Sequence, residues 1–199
     1  MPAQNEPQPF QEIQIGESFI GTGVNAAHVN TVLGPRTGPA GAAWATALAT
    51  PSAGHVPFMA VLAPGVAVQP PTLFVTKAAI ENDAHGNLTW GAAQAGVAGG
   101  VADAVAAGHV GADAVGGLVL IAAVWVNPGA DDEQSVYRNN RLATATALAN
   151  GAAGLPGLDE VMKYRDAPAN PFFSGVAAPE DSAVPTKSAV PTKSEASTA

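Results

Sequence analysis

The chain has 199 residues, enough for one domain of ordinary size with tails. Its net charge is −8 and it has no Lys/Arg cluster, which argues against a nucleic-acid or anionic-membrane partner. It has no cysteine, which excludes disulfides, thiolate metal sites and cysteine nucleophiles. Charged residues make up 12% of the chain, against roughly 25% in an average protein. A surface so poor in charge favours an extensive subunit interface, although alanine supplies much of the apolar count. The start, MPAQNEPQPF, has neither a basic nor an apolar leader region. No run of about 18 strongly apolar residues follows. A cytoplasmic protein without a membrane segment is the expectation.

Taken in order, residues 1–10 are polar and carry three prolines, the composition of a loose tail. Residues 10–20 predict a strand, with Ile13 and Ile15 alternating against Glu12 and Gln14. Gly21-Thr22-Gly23 is a turn, and residues 26–33 predict a second strand closed by Gly34-Pro35. Pro39 opens an alanine-rich helix to about Thr50, since proline fits a first turn. Residues 56–63 and 72–80 predict two buried strands separated by the loop PGVAVQPP. Residues 90–107 predict a helix, and 118–126, a continuous apolar run, a central strand. Asp131-Asp132-Glu133 suits a helix N-terminus, and that helix is expected to run to Asn150 and stop at Gly151. A short helix over 158–164 follows. The sum is a two-layer α/β domain over 11–165, with about five strands and three main helices. Residues 166–199 form a low-complexity tail in which AVPTKS occurs twice, at 183–188 and 189–194.

The helix over 90–107 is nearly bare of side chains. Each interior glycine costs roughly 1 kcal/mol against alanine, so the pattern needs a reason. Close packing on a sheet is one and a close subunit contact the other.

No nucleotide loop, no GxxxxGK[ST] and no HExxH is present, and no pair of histidines has zinc-ligand spacing. His55, His85 and His109 lie in or beside expected turns, where exposure is the default. His28 lies within an expected strand. It is either a satisfied structural histidine or an acid–base residue with a suitable ordinary pKa. Lys77, near the end of an apolar strand, either snorkels to solvent or lines a cleft. Gln94, among alanines, is either exposed or placed to bind a ring amide through both its donor and its acceptor.

The spacing of many short motifs resembles the formaldehyde-activating enzymes. Gly16-Glu17, Gly21-x-Gly23, Ala27-His28-Val29 and Gly34-Pro35-Arg36 look like that family's N-terminal signature. Met59-Ala60-Val61-Leu62-Ala63-Pro64, Pro70-x-Thr72-Leu73, Lys77, Ile80, Gln94-x-Gly96-Val97-Ala98, Val101-x-Asp103-Ala104-Val105 and Ala130-Asp131-Asp132 continue in register. The likeness covers about 15–151.

The resemblance implies a metal-free condensation of formaldehyde with the co-substrate tetrahydromethanopterin, a hydro-lyase reaction of one-carbon metabolism, formaldehyde detoxification and methylotrophy. It implies a two-layer fold similar to a ribosomal-protein domain with a left-handed crossover. It also implies a homopentamer with the pterin between neighbouring subunits. The acid–base histidine falls on His28, and the pterin contacts fall on Asn30, Met59, Lys77, Ala79 and Gln94. Asn30 stands where the family has aspartate, Met59 where it has leucine and Ala79 where it has threonine. The two polar losses leave a second reading open: a non-catalytic paralogue that binds a pterin or an aldehyde as carrier or sensor.

Overall fold

Alternation along one strand organises the fold. The computed structural model describes residues 13–173. The expected tail at 1–10 and the repeats at 183–194 lie outside the described residues. In strand β2 (Ala27–Pro35), Ala27, Val29, Thr31 and Leu33 are buried, while His28, Asn30 and Val32 are only half-buried. Successive side chains of a strand point to opposite faces, so β2 has one packed face and one partly open face. Strand β1 (Gln14–Ile20) pairs antiparallel with it in a hairpin, Glu17 opposite Asn30 and Phe19 opposite His28. Gly21 and Gly23 have φ of 87° and 64°, which favours glycine in that turn.

The other strands extend this pair. The seventh strand, β7 (Leu118–Trp125), lies antiparallel to β2, with Trp125 opposite His28. As expected, this apolar run is central. Strand β6 (Thr72–Thr76) is parallel to β7, and the two-residue β3 (Phe58–Met59) pairs with β6 at the edge. The five-stranded order is β1-β2-β7-β6-β3. Phe58 stacks on Phe74 with ring centroids 4.9 Å apart, which seats the short edge strand.

Two expectations are corrected between 56 and 80. A single buried strand was expected over 56–63. The chain instead forms β3 and then β4 (Val61–Ala63), largely exposed. β4 turns at Gly65, φ 79°, into β5 (Val66–Ala67), a strand inside the expected loop. A local hairpin with a glycine turn wins over a longer strand because Pro64 has no N–H to extend a ladder. The strand after it stops at Thr76 rather than Ile80. Lys77 N still donates to Val124 O at 2.8 Å before the chain leaves the sheet.

Helices cover the packed face. The helix predicted from Trp90 starts earlier. Helix α2 (Asp83–Asn87) is capped by Asn82, whose side chain accepts from His85 N at 2.9 Å. It runs through a π turn (Leu88–Ala93) into α3 (Gln94–Ala106). Helix α4 (Glu133–Ala153) starts at the expected acidic residues, Asp132 accepting from Gln134 N and Ser135 N. It ends at Gly154, φ 64°, not at Gly151. Gly151 stays helical because it packs against the backbone of Ile15 and Gly16. The first helix, α1 (Pro39–Ala49), opens at the expected proline and sets Ala40 over Gly34, at the far end of the open face. Beyond Gly157 a second unit carries the short α5 (Leu158–Lys163), all of it exposed.

The bare glycines of α3 face α4, which is neither a sheet contact nor a subunit contact. A Cβ on Gly96 would lie 2.5 Å from Tyr137 O, and one on Gly100 would meet Arg141 O. Gly16 likewise lets β1 pass against Ala147 of α4. The core closes between these layers, with Ala27, Val29, Phe74, Val97, Ala122 and Val124 in one cluster. Overpacking such a contact costs about 1–3 kcal/mol. Gly100→Val is therefore expected to lower the denaturation midpoint by a stability loss of about that size. An unchanged midpoint would refute the close helix contact.

Candidate active site

The partly open face gathers the polar side chains. His28 lies near the start of β2, beside the carboxyl ends of the parallel pair β6 and β7. The crevice beyond such strand ends is where open α/β sheets commonly bind ligands. Its Nε2 lies 3.0 Å from Glu17 Oε1, and the two side chains are 36% and 59% exposed. Glu17 reaches it diagonally, since Glu17 opposes Asn30 in the register. Phe19 flanks the imidazole with ring centroids 5.9 Å apart. Lys77 arrives from the end of β6, and its Nζ donates to Asn30 Oδ1 at 2.5 Å. One imidazole, one carboxylate, one ammonium and one amide thus share a patch reachable from solvent.

Their charges are interdependent. Burial and the Lys77 ammonium hold the His28 imidazole below its ordinary value, while the Glu17 carboxylate pulls the other way. Burial lowers the Lys77 ammonium to about 8, again opposed by Glu17. The imidazole and the ammonium therefore draw on one carboxylate. A histidine with a lowered pKa is largely neutral at pH 7, able to take up a proton and return it.

Among the described residues no hydrogen bond joins the remaining expected contacts to this cluster. Met59 is exposed on the edge strand β3. Ala79 lines a cavity of about 320 Å³ with Gly54, Val56, Thr76, Ile80 and Trp90. His55 Nδ1 lies 2.7 Å from Thr76 O, and Thr76 Oγ1 donates to Gly54 O at 3.2 Å, which ties the cavity wall to β6. Gln94, 9% exposed, donates from Nε2 to Val61 O at 2.8 Å. Its exposure as a plain surface residue is thus corrected, and its donor already holds β4.

Sequence reasoning missed several residues. It expected His85 in an exposed turn, whereas it is 1% exposed within α2. His85 Nε2 lies 3.1 Å from Val126 O, and Nδ1 accepts from Glu81 N at 3.3 Å, so its partners fix the proton on Nε2. The Asn82-Asp83 pair is a helix-start signal that could have found this helix. Asn25 was not singled out. Its side chain bonds Asp131 and the N–H groups of Asp131 and Asp132, tying the β1–β2 turn to the start of α4. Glu17 carried no role beyond its motif, because the hairpin register that aims it at His28 depends on a turn length the sequence left open. Among the described residues no group of three or more His, Asp or Glu is placed to hold a metal, and no helix is long and apolar enough to cross a membrane.

Fold and site together define a two-layer α/β protein with a cluster of interacting titratable side chains on an incompletely covered sheet. The chain matches the family described as formaldehyde-activating enzyme over residues 15–173. It is 38% identical over 158 residues to a 5,6,7,8-tetrahydromethanopterin hydro-lyase of Methanosarcina barkeri, covering 79% of this chain and 89% of that protein. It is 38% identical over 161 residues to a bifunctional enzyme Fae/Hps of Archaeoglobus fulgidus, and 39% over 153 residues to one of Methanocella arvoryzae. Those alignments cover 81% and 77% of this chain, and the chain spans only 41% and 39% of the two bifunctional proteins. The chain belongs to the formaldehyde-activating enzyme family.

Because Glu17 raises the His28 pKa, its removal must lower it. Glu17→Gln is expected to move the His28 titration midpoint, followed by NMR, further below the ordinary imidazole value. A midpoint that rises or stays fixed would show that the pair at 3.0 Å does not form in solution.

Proposed function

We propose that this protein condenses formaldehyde with tetrahydromethanopterin to the methylene derivative and water, as a hydro-lyase. The observation that carries the reading is the His28–Glu17–Lys77–Asn30 cluster on the accessible sheet face, in a chain of this family. A ring amine of the pterin attacks formaldehyde. The amine's proton passes to the carbonyl oxygen to give the carbinolamine, and His28, as its imidazolium, then protonates the hydroxyl so that water leaves, its proton being restored when the second amine closes. The second amine then closes on the same carbon. Holding both amines at one carbon contributes alongside the proton transfer. Asn30, Met59, Lys77, Ala79 and Gln94 are the proposed pterin contacts. The protein supplies these groups without a resident metal. One-carbon metabolism, formaldehyde detoxification and methylotrophy in the cytoplasm are the setting this chemistry suggests.

We further propose a homopentamer with the pterin at the subunit boundary. The open sheet face is apolar around the cluster, and Ile15 is 69% exposed there. Among the described residues Met59, Ala79 and Gln94 make no hydrogen bond to the His28 cluster, and a site shared between two copies would bring both sets to one ligand. Ile15→Glu is expected to yield a smaller species in sedimentation. A variant that keeps the wild-type assembly removes this face from the interface.

Two observations favour the second reading, a non-catalytic pterin- or aldehyde-binding paralogue. Asn30 offers a neutral amide, and Ala79 offers no hydroxyl to the cavity it lines. A lost hydrogen bond to a buried polar group costs about 1–3 kcal/mol. Methylene-pterin formation above the spontaneous rate separates the two. His28→Ala is expected to lower that catalysed rate by about 10²- to 10⁴-fold while pterin binding, read by calorimetry, is retained. A wild-type rate in the variant would refute the acid–base role.

A further inference from the structure

The cluster contains one amine that the acid–base scheme does not use chemically. Lys77 is half-buried at the end of β6, and its Nζ is held by a neutral amide oxygen, Asn30 Oδ1. The nearby carboxylate, Glu17, is engaged by His28. Among the described residues Lys77 forms no ion pair within 4 Å. Its ammonium is thus hydrogen-bonded but not neutralised, in surroundings that favour the free amine. A free amine beside a residue that can pass a proton is the arrangement that carbinolamine formation and dehydration require.

We propose that Lys77 captures formaldehyde covalently and relays it as an iminium, with His28 moving the protons. The inference rests on formaldehyde being the substrate. The Nζ lone pair forms the C–N bond while the carbonyl π pair moves to oxygen. The proton on nitrogen passes through His28 to that oxygen and yields the carbinolamine, Lys–NH–CH2OH. His28, in its imidazolium form, donates the proton that breaks the C–O bond, water leaves, Lys–NH⁺=CH2 remains, and His28 is left neutral until the last step. The first pterin amine adds to the iminium carbon and its proton moves to Nζ. The bond to Nζ breaks, Lys77 departs as the free amine, and the methylene carbon stays on the pterin as an iminium. The second pterin amine closes on it and gives its proton back to His28. No oxidant or reductant is consumed, and the sum is one formaldehyde and two N–H bonds converted to one N–CH2–N bridge and water.

Burial supports the scheme by lowering the Lys77 ammonium to about 8. Such a lysine presents on the order of 100-fold more free amine at pH 7 than one at the ordinary value of 10.5. Restricted access and weaker basicity offset part of this. The test treats the full chain with formaldehyde and cyanoborohydride, which reduces an iminium to a stable N-methyl group, and compares Lys77 with exposed Lys163 by peptide mass spectrometry. Methylation of Lys77 is expected to be about tenfold faster or more. Asn30→Asp, which supplies a full counter-charge, is expected to bring Lys77 down toward the Lys163 rate. Lys77→Arg keeps the charge but no nucleophilic amine, and is expected to lose the catalysed rate. Equal methylation at Lys77 and Lys163 overturns the capture, and a full catalytic rate in Lys77→Arg overturns the relay. Selective methylation in a wild-type protein that does not accelerate methylene-pterin formation would instead overturn the pterin reaction and leave the capture standing.

Discussion

The sheet is covered by α3 and α4 on one face only, and the site depends on that asymmetry. It arises where backbones touch. Gly16 lets β1 lie against Ala147 of α4, and Gly151 lets α4 run on against Ile15 and Gly16. Gly96 and Gly100 bring α3 against α4. Close packing commits Ala27, Val29, Thr31 and Leu33 to the interior, and the two-residue period of a strand then turns His28 and Asn30 the other way. His28 is accessible because its neighbours along the strand are not.

Charge balance in the cluster follows from the same placement. Glu17 is the one carboxylate identified as acting on both His28 and Lys77, so the Lys77 ammonium is not fully compensated. A carboxylate at position 30 would sit at hydrogen-bond distance from the Lys77 ammonium and hold it charged. The neutral amide of Asn30 keeps the contact and drops the charge. A single-atom exchange on β2 therefore changes the chemistry of a side chain 47 residues away in sequence.

The buried histidine of this fold has a structural task. His85 is deeper than His28, yet both of its ring nitrogens are spent on backbone groups, and it fixes the start of α2 against the end of β7. Asn25 performs a comparable task at the surface, joining the β1–β2 turn to the first residues of α4. These polar clamps hold the strand ends at which His28 and Lys77 sit. The 320 Å³ cavity beside Ala79 belongs to the same edge, built where β6 releases the chain.

Local sequence was enough to place the β1–β2 hairpin, the central β7, the start of α1 at Pro39 and the start of α4 at Asp132, because alternation, apolar runs and caps act over a few residues. Their places in the expected strands and helix drew attention to His28, Lys77 and Gln94, and the family resemblance supplied the roles proposed for them. Tertiary structure alone decided what surrounds them. The pairing of Glu17 with His28 depends on hairpin register, and the grip of Asn30 on Lys77 depends on β7 lying between β2 and β6. The burial of His85 depends on Val126, 41 residues later. Likewise, the glycines of α3 showed in the sequence that something comes close, and only the packed helices showed that it is α4. Contacts between residues distant in the chain carry no local signature, since their free energy appears only when the layers close.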